Sequence, residues 1–126
     1  LIWHYDMNPR EYWLPFPNLR AQAANLRAFV RSNGRGIFMQ GCAENTEFSD
    51  LRVYVMSALI WDPSRDTDSL IDEFLHLYYR QSGPPIRRWI DLFHDQAIAS
   101  GKQTAGDTST LEDFNVLAQL RQAEED

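Results

Sequence analysis

Residues 36–41 carry the sequence GIFMQG, which predicts a short buried β-strand. Its alternation places Phe38 and Gln40 on one face and Ile37 and Met39 on the other. A polar loop follows the strand, and segments with helical periodicity lie on both sides of it. Helix, strand, polar loop and helix in this order form the repeating unit of α/β barrels and doubly wound sheets. We therefore predict an α/β fold organised around this strand.

The composition narrows the possible functions without naming one. The chain has 126 residues, of which 44% are hydrophobic and 24% charged, as in an ordinary globular domain. A net charge of −6 and a single lysine, Lys102, argue against nucleic acid as a partner, since phosphate binding needs clustered cations. No apolar run approaches a membrane span, so we expect no membrane partner. One cysteine, Cys42, and the absence of paired histidines at ligand spacing predict no metal site, and we expect no cofactor.

The first seven residues, LIWHYDM, predict another strand. Alternate side chains share a face, with Ile2, His4 and Asp6 on one and Trp3, Tyr5 and Met7 on the other. A helix of about fifteen residues between the two strands fits a right-handed parallel crossover. Two strands do not form a stable sheet alone, and the chain begins inside one of them. We therefore expect this chain to be a piece of a longer protein.

Five segments have helical periodicity. Asn18 is predicted to cap the first, with Gly34 in the left-handed position after it, and Ser49 to cap the second. Gly83 is expected to separate the third helix from the fourth. The predicted helices span residues 19–32, 50–61, 66–81, 85–100 and 110–120, and either Asp66 or Thr67 is the first residue of the third. The aromatic residues of the later helices are expected to pack inside (Trp61, Tyr78, Tyr79 and Trp89), and the histidines to lie on polar faces (His76 and His94).

Several segments together resemble one family. They are PFPNL at 15–19, NLR at 25–27, GRGIFMQG at 34–41, DLRVYVMSALIWDP at 50–63 and IDEFLHLYY at 71–79. The pattern, over about residues 1–98, is similar to DUF4838, bacterial proteins of unknown activity related to glycoside hydrolases with TIM-barrel catalytic domains. The resemblance implies the C-terminal part of a (β/α)8 TIM barrel, with two parallel strands in residues 1–62 and a helical extension in 63–126. It also implies that upstream strands, where such enzymes usually place their acid and nucleophile, are missing.

If the chain is part of a barrel, its site lies at the carboxyl ends of the strands. Asp6 lies at the end of the first strand and Glu44 follows the end of the second. They are our candidate catalytic pair, because glycoside hydrolysis needs two carboxyl groups at a fixed separation. Candidate sugar-binding residues are His4, Tyr12, Trp13 and Gln40. A structural role stays open for each of these six residues. The alternatives are a turn residue for Asp6, a core histidine for His4, rim packing for Tyr12 and Trp13, a buried amide for Gln40 and a solvated loop residue for Glu44.

Two functions follow from these alternatives. In the first, the parent protein binds or hydrolyses carbohydrate, this part supplies loops of the site, and the part alone is inactive. In the second, residues 50–124 form a helical protein-interaction module with no catalytic role. Unpaired strand edges predict self-association of the isolated chain in either case. The sequence does not fix the compartment, and a secreted or periplasmic parent protein stays open.

Overall fold

The computed structural model describes residues 1–7, 15–41, 47–101 and 121. Within these residues the chain is helix-rich α/β, as predicted, with two strands that pair in parallel. The elements in chain order are β1 (Ile2–Tyr5), α1 (Leu19–Arg31), β2 (Ile37–Gln40), α2 (Ser49–Trp61), α3 (Thr67–Phe74), a π-helical turn (Leu75–Tyr79), a 3-10 turn (Arg80–Ser82) and α4 (Gly83–Ser100).

The two strands lie side by side in register, from Ile2 opposite Ile37 to Tyr5 opposite Gln40. The connection between them contains α1, as a parallel crossover requires. Ile37 and Met39 pack against the hydrophobic core, so helices cover that side of the sheet. We call it the covered face. The opposite side, which we call the open face, carries the exposed side chains Trp3, Tyr5 and Phe38 together with Gln40.

The ends of α1 use asparagines differently from the prediction. Asn18 is the N-cap residue, but its side chain makes no capping bond, because its Oδ1 accepts from Arg52 instead. The left-handed residue after the helix is Asn33, with φ of 60°, and not Gly34. Asparagine tolerates this conformation. Gly34 is needed for space, since a Cβ there would lie 2.8 Å from the carbonyl oxygen of Phe29.

The predicted cap at Ser49 is wrong, because α2 already begins at that residue. The preceding residue, Phe48, takes the N-cap position with φ of 50°, and makes no side-chain capping bond. Its ring contacts the rings of Trp89 and Tyr79, at centroid distances of 5.4 and 6.3 Å. The start of α2 therefore has aromatic packing by Phe48 where the sequence predicted a capping hydrogen bond from Ser49.

The predicted single helix over residues 66–81 is interrupted. The α-helix α3 begins at Thr67, and Asp66 caps it, since its Oδ2 accepts from the Ser69 amide. The helix ends at Phe74 and continues as the π-helical turn. The prediction that Gly83 separates two helices is wrong, because Gly83 is the first residue of α4. A Cβ on Gly83 would lie 2.9 Å from the Leu75 carbonyl oxygen, so the glycine permits a close approach of the two helical segments.

One hydrophobic cluster joins all four helices. Its largest fully buried apolar side chains are Leu19, Leu51, Leu59, Leu70, Ile71, Ile90 and Phe93. Trp89 packs inside as predicted, but Trp61 is 91% exposed and Tyr78 is also exposed, which corrects two predictions. Trp61 is the last residue of α2, beyond the part of the helix that faces the core. The predicted boundary at residue 62 stays a prediction, although the cluster draws on both sides of it.

Arginines on α1 and α4 add ion pairs at the helix surface. Arg20 donates to Asp91 and Asp95 at 2.5 and 2.6 Å, which ties α1 to α4. Arg87 donates to Asp68 at 2.7 Å, which ties α4 to α3. These pairs are partly exposed, so each contributes little to stability in water.

His94 contradicts its predicted place on a polar face, because only 3% of it is exposed. Its Nδ1 donates to the Ile90 carbonyl oxygen at 2.8 Å. The pKa of His94 is lowered from 6.5 to about 4, mainly by burial; the charges of Arg20 and Arg52 add to this shift, while the bond to Ile90 and the charge of Asp91 oppose it. The folded state therefore resists protonation that the unfolded chain accepts.

Acid should therefore weaken the fold through His94. The stability contribution is present above pH 6.5 and is lost as the pH falls towards 4. Between neutral pH and about pH 4.5 we expect the free energy of unfolding to fall by roughly 2–3 kcal/mol from this group alone. Urea titrations at both pH values, on the native chain and on His94→Gln, would isolate the effect. His76→Gln is the control, since that ring is exposed; an equal pH dependence in all three proteins would contradict the assignment.

Candidate functional site

Asp6 lies directly beyond the carboxyl end of β1, beside the end of β2. Its amide donates to the Gln40 carbonyl oxygen at 3.4 Å, which continues the sheet by one residue. Its carboxyl group faces Gly41, where a Cβ would lie 3.4 Å from Oδ1. Only 4% of Asp6 is exposed. The structure thus places one predicted acid where parallel α/β proteins carry their sites, but in a buried setting.

The charge of Asp6 is only partly compensated. Burial raises the pKa of its carboxyl group, while the charges of Arg52 and His4 lower it without reversing the shift. Among the described residues, Oδ1 of Asp6 has no hydrogen-bond partner. A carboxyl group that holds its proton more tightly than usual is suited to donate it as a general acid.

Arg52, on the buried side of α2, gathers the residues around Asp6. Its Nη1 donates to the Asp6 carbonyl oxygen at 3.1 Å and to Asn18 Oδ1 at 2.6 Å. Its Nη2 donates to the Phe16 carbonyl oxygen and to Glu47 Oε2, both at 2.6 Å. Its Nε donates to the Glu47 carbonyl oxygen at 3.1 Å. The side chains of Arg52 and Glu47 are 4% and 12% exposed, so their ion pair is nearly dry.

Gln40 lies on the open face at the end of β2. Its Oε1 accepts from Nε1 of Trp3 at 2.8 Å, which joins the two strands through their side chains. Trp3 also contacts Phe38, with ring centroids 4.7 Å apart. Tyr5 stands opposite Gln40 in the sheet register and is exposed. An exposed indole beside an amide and a phenol offers the apolar surface and polar groups that a sugar ring requires.

His4 lies on the covered face, opposite in direction to Gln40. Its Nε2 lies 2.8 Å from Oε1 of Gln22, a buried residue of α1. Its ring also meets the ring of Phe29 edge-on at 5.3 Å. His4 and Gln40 therefore lie on opposite faces of the sheet. The other predicted site residues, Glu44, Tyr12 and Trp13, lie outside the described residues.

Sequence reasoning missed four residues of this region: Trp3, Tyr5, Glu47 and Arg52. For Arg52 a signal was available, because it lies in a helix segment with apolar residues on all sides. A lone arginine in such a segment is either exposed at a break in the apolar surface or buried with partners. The two aromatic residues of β1 were assigned to a face, but that face was not identified as the open one.

A cavity of about 370 Å³ lies at the other, amino end of the strands. Its lining is mostly apolar and includes Ile2, Leu26, Phe29 and Ile37. Sites in parallel α/β folds lie at the carboxyl ends, so we do not assign the function to this cavity. Within the described ranges, no group of three or more acidic, histidine or cysteine side chains could hold a metal ion. None of the described helices is both long and apolar enough to cross a membrane.

Comparison with known proteins gives one positive finding. The family model "Domain of unknown function (DUF4838)" matches residues 1–91. No curated protein and no solved structure matches the chain.

Proposed function

Since the chain belongs to the DUF4838 family, we propose that it is part of a glycoside hydrolase-like, carbohydrate-active protein and supplies residues at one end of its sheet. In this proposal β1 and β2 are the last two strands of a (β/α)8 barrel, α1 and α2 belong to its outer ring, and the helices after residue 62 form an extension. The observation that carries the proposal is the sheet itself. Its two strands are parallel and are connected through a helix, and the described helices cover only one of its faces.

The open face supports this proposal. In a closed barrel the helix-free side of each strand lines the interior. Trp3, Tyr5 and Gln40 would then face the interior, the last two at the carboxyl end. Carbohydrate is the partner that suits this face, since rings can stack on a sugar while an amide orients its hydroxyl groups.

The assigned chemistry is glycoside hydrolysis by two carboxyl groups. Asp6 is the proposed proton donor, because burial raises the pKa of its carboxyl group. Glu44 is the proposed second carboxylate. Removing either should lower kcat/KM on the substrate by about a thousandfold or more.

The test uses the full-length parent protein and a panel of aryl glycosides and polysaccharides. Asp6→Asn and Glu44→Gln should each abolish most turnover without loss of folding. Asp50→Asn is the control, since it removes an exposed carboxylate at the start of α2. Full turnover in both site variants would show that these acids are bystanders, and a parent protein inactive on every glycoside would contradict the proposed activity.

A second candidate is the helical interaction module. Val53 and Ile60 lie on one face of α2, two turns apart, and both are exposed together with Trp61 at the helix end. Exposed apolar residues grouped in this way are typical of a protein contact. Val53→Ser with Ile60→Ser should then weaken binding to a protein partner and leave sugar binding unchanged.

Self-association of the isolated chain is our third expectation. Among the described residues, β1 and β2 pair only with each other, so the outer edge of each strand keeps unpaired backbone groups. Neither strand carries a proline or lysine that would discourage pairing. Sedimentation velocity at micromolar concentration should show dimers or larger species. A well-folded monomer over that range would contradict this prediction.

A further inference from the structure

We infer that Arg52 is a positioning residue that joins described end residues of the two strand-to-helix connections at the carboxyl end of the sheet. The first connection runs from β1 to α1 and the second from β2 to α2. Arg52 bonds to Asp6 before the first connection, and to Phe16 and Asn18 at its far end. It bonds to Glu47 at the far end of the second connection. One side chain therefore holds both ends of the first connection and the far end of the second relative to α2.

The chemistry of the guanidinium explains why arginine occupies this position. Its N–H donors point in fixed directions within one plane and can serve several acceptors at once. Three of the acceptors are backbone carbonyl oxygens, those of Asp6, Phe16 and Glu47, and the others are side-chain oxygens of Asn18 and Glu47. A lysine ammonium would keep the charge and the pair with Glu47, but could not reach acceptors spread across both connections.

Glu47 completes the arrangement by balancing the buried cation. Burial raises the pKa of the Glu47 carboxyl group and Asp6 raises it further, while Arg52 lowers it through its charge and hydrogen bond. Asp6 also feels the charge of Arg52, as well as that of His4. Arg52 thus bonds directly to the carboxyl group of Glu47 and to the backbone carbonyl oxygen of Asp6, whose carboxyl group is also buried.

This inference deepens the proposed function, and its meaning for sugar chemistry rests on that function. Arg52 would not touch the sugar. It would hold Asp6 beside Gly41, at the end of the neighbouring strand, so that the carboxyl group keeps its place relative to the open face. Small displacements of such a group cost much of its effect.

The test replaces Arg52 with lysine in the native chain and follows single amides by hydrogen exchange. The amides of Asp6, Asn18 and Arg52 bond to carbonyl oxygens at the ends of the connections, whereas the Leu70 amide bonds within the capped start of α3. We expect Arg52→Lys to speed exchange of the first three by about tenfold or more and to leave Leu70 nearly unchanged. The matched control is Arg20→Lys, which alters an arginine whose two carboxylate partners, Asp91 and Asp95, lie on α4 and not at the connections.

A merely stabilising role predicts a different result, namely one common factor for all four amides. That result would overturn the inference, as would unchanged exchange at Asp6. Carbon-13 titration of the Asp6 carboxyl group adds a second readout, which should shift in Arg52→Lys but not in Arg20→Lys. Neither measurement needs a sugar. A parent protein without glycosidase activity would therefore contradict the proposed function and leave this inference standing.

Discussion

Arg52→Met should lower the free energy of unfolding by about 3–5 kcal/mol, because it leaves a carboxylate buried without its cation. Glu47 would lose its ion pair at 2.6 Å in a place where little water reaches it. The carbonyl oxygens of Asp6 and Phe16 would lose donors at the same time. Urea unfolding followed by circular dichroism measures the loss.

Two further variants separate the buried pair from ordinary surface charge. Arg65→Met breaks an exposed pair with Glu73 and should cost no more than about 1 kcal/mol. Replacing Arg52 and Glu47 together, by Met and Leu, should recover a large part of the loss, since no unpaired charge stays buried. If Arg52→Met cost no more than Arg65→Met, the pair would not be the dry contact described above.

Phe93→Ala should cost a similar amount, about 3–5 kcal/mol, through the cavity it leaves in the core. Phe93 is fully buried and stacks on Trp89, with ring centroids 5.4 Å apart and planes only 4° from parallel. It also meets the ring of His94 edge-on. Thermal and urea unfolding of the variant would measure the loss.

Size and position provide the controls for this prediction. Phe93→Leu keeps most of the volume and should cost less than about 1.5 kcal/mol. Val53→Ala, on the exposed side of α2, should change stability by no more than about 0.5 kcal/mol. A Phe93→Ala protein as stable as Val53→Ala would place the ring outside the core.

Local patterns predicted the helices better than their ends. The apolar period located α1 to within one residue of its observed end, and Gly101 closes α4 with a φ of 62° as a C-terminal glycine often does. The end of α3 escaped prediction because the residues that follow continue the helical period through the π-helical turn. The start of α2 escaped because Phe48 adopts a left-handed backbone that sequence rules assign to other residues.

The candidate site was predictable only where strand geometry decides it. Parallel pairing put Asp6 beside Gly41, and alternation put Gln40 on the same side as Phe38. Which side chains of β1 share a face with those of β2 was not predictable. Alternation sorts the side chains of one strand into two faces, but it does not show which face the helices cover. His4 therefore lies with Gln22 under α1 and not with Gln40. The apolar residues around Arg52 in the sequence indicate burial with partners, but no local pattern identifies Asp6 as one of those partners.

The most direct test of β1 and β2 as strands of a closed parallel sheet is a crystal structure of the full-length parent protein. Each strand should gain a parallel neighbour along its outer edge, and Trp3, Tyr5 and Gln40 should face the interior of a barrel. An antiparallel neighbour, or a helix packed over Trp3 and Phe38, would contradict the barrel and the sugar site proposed from it.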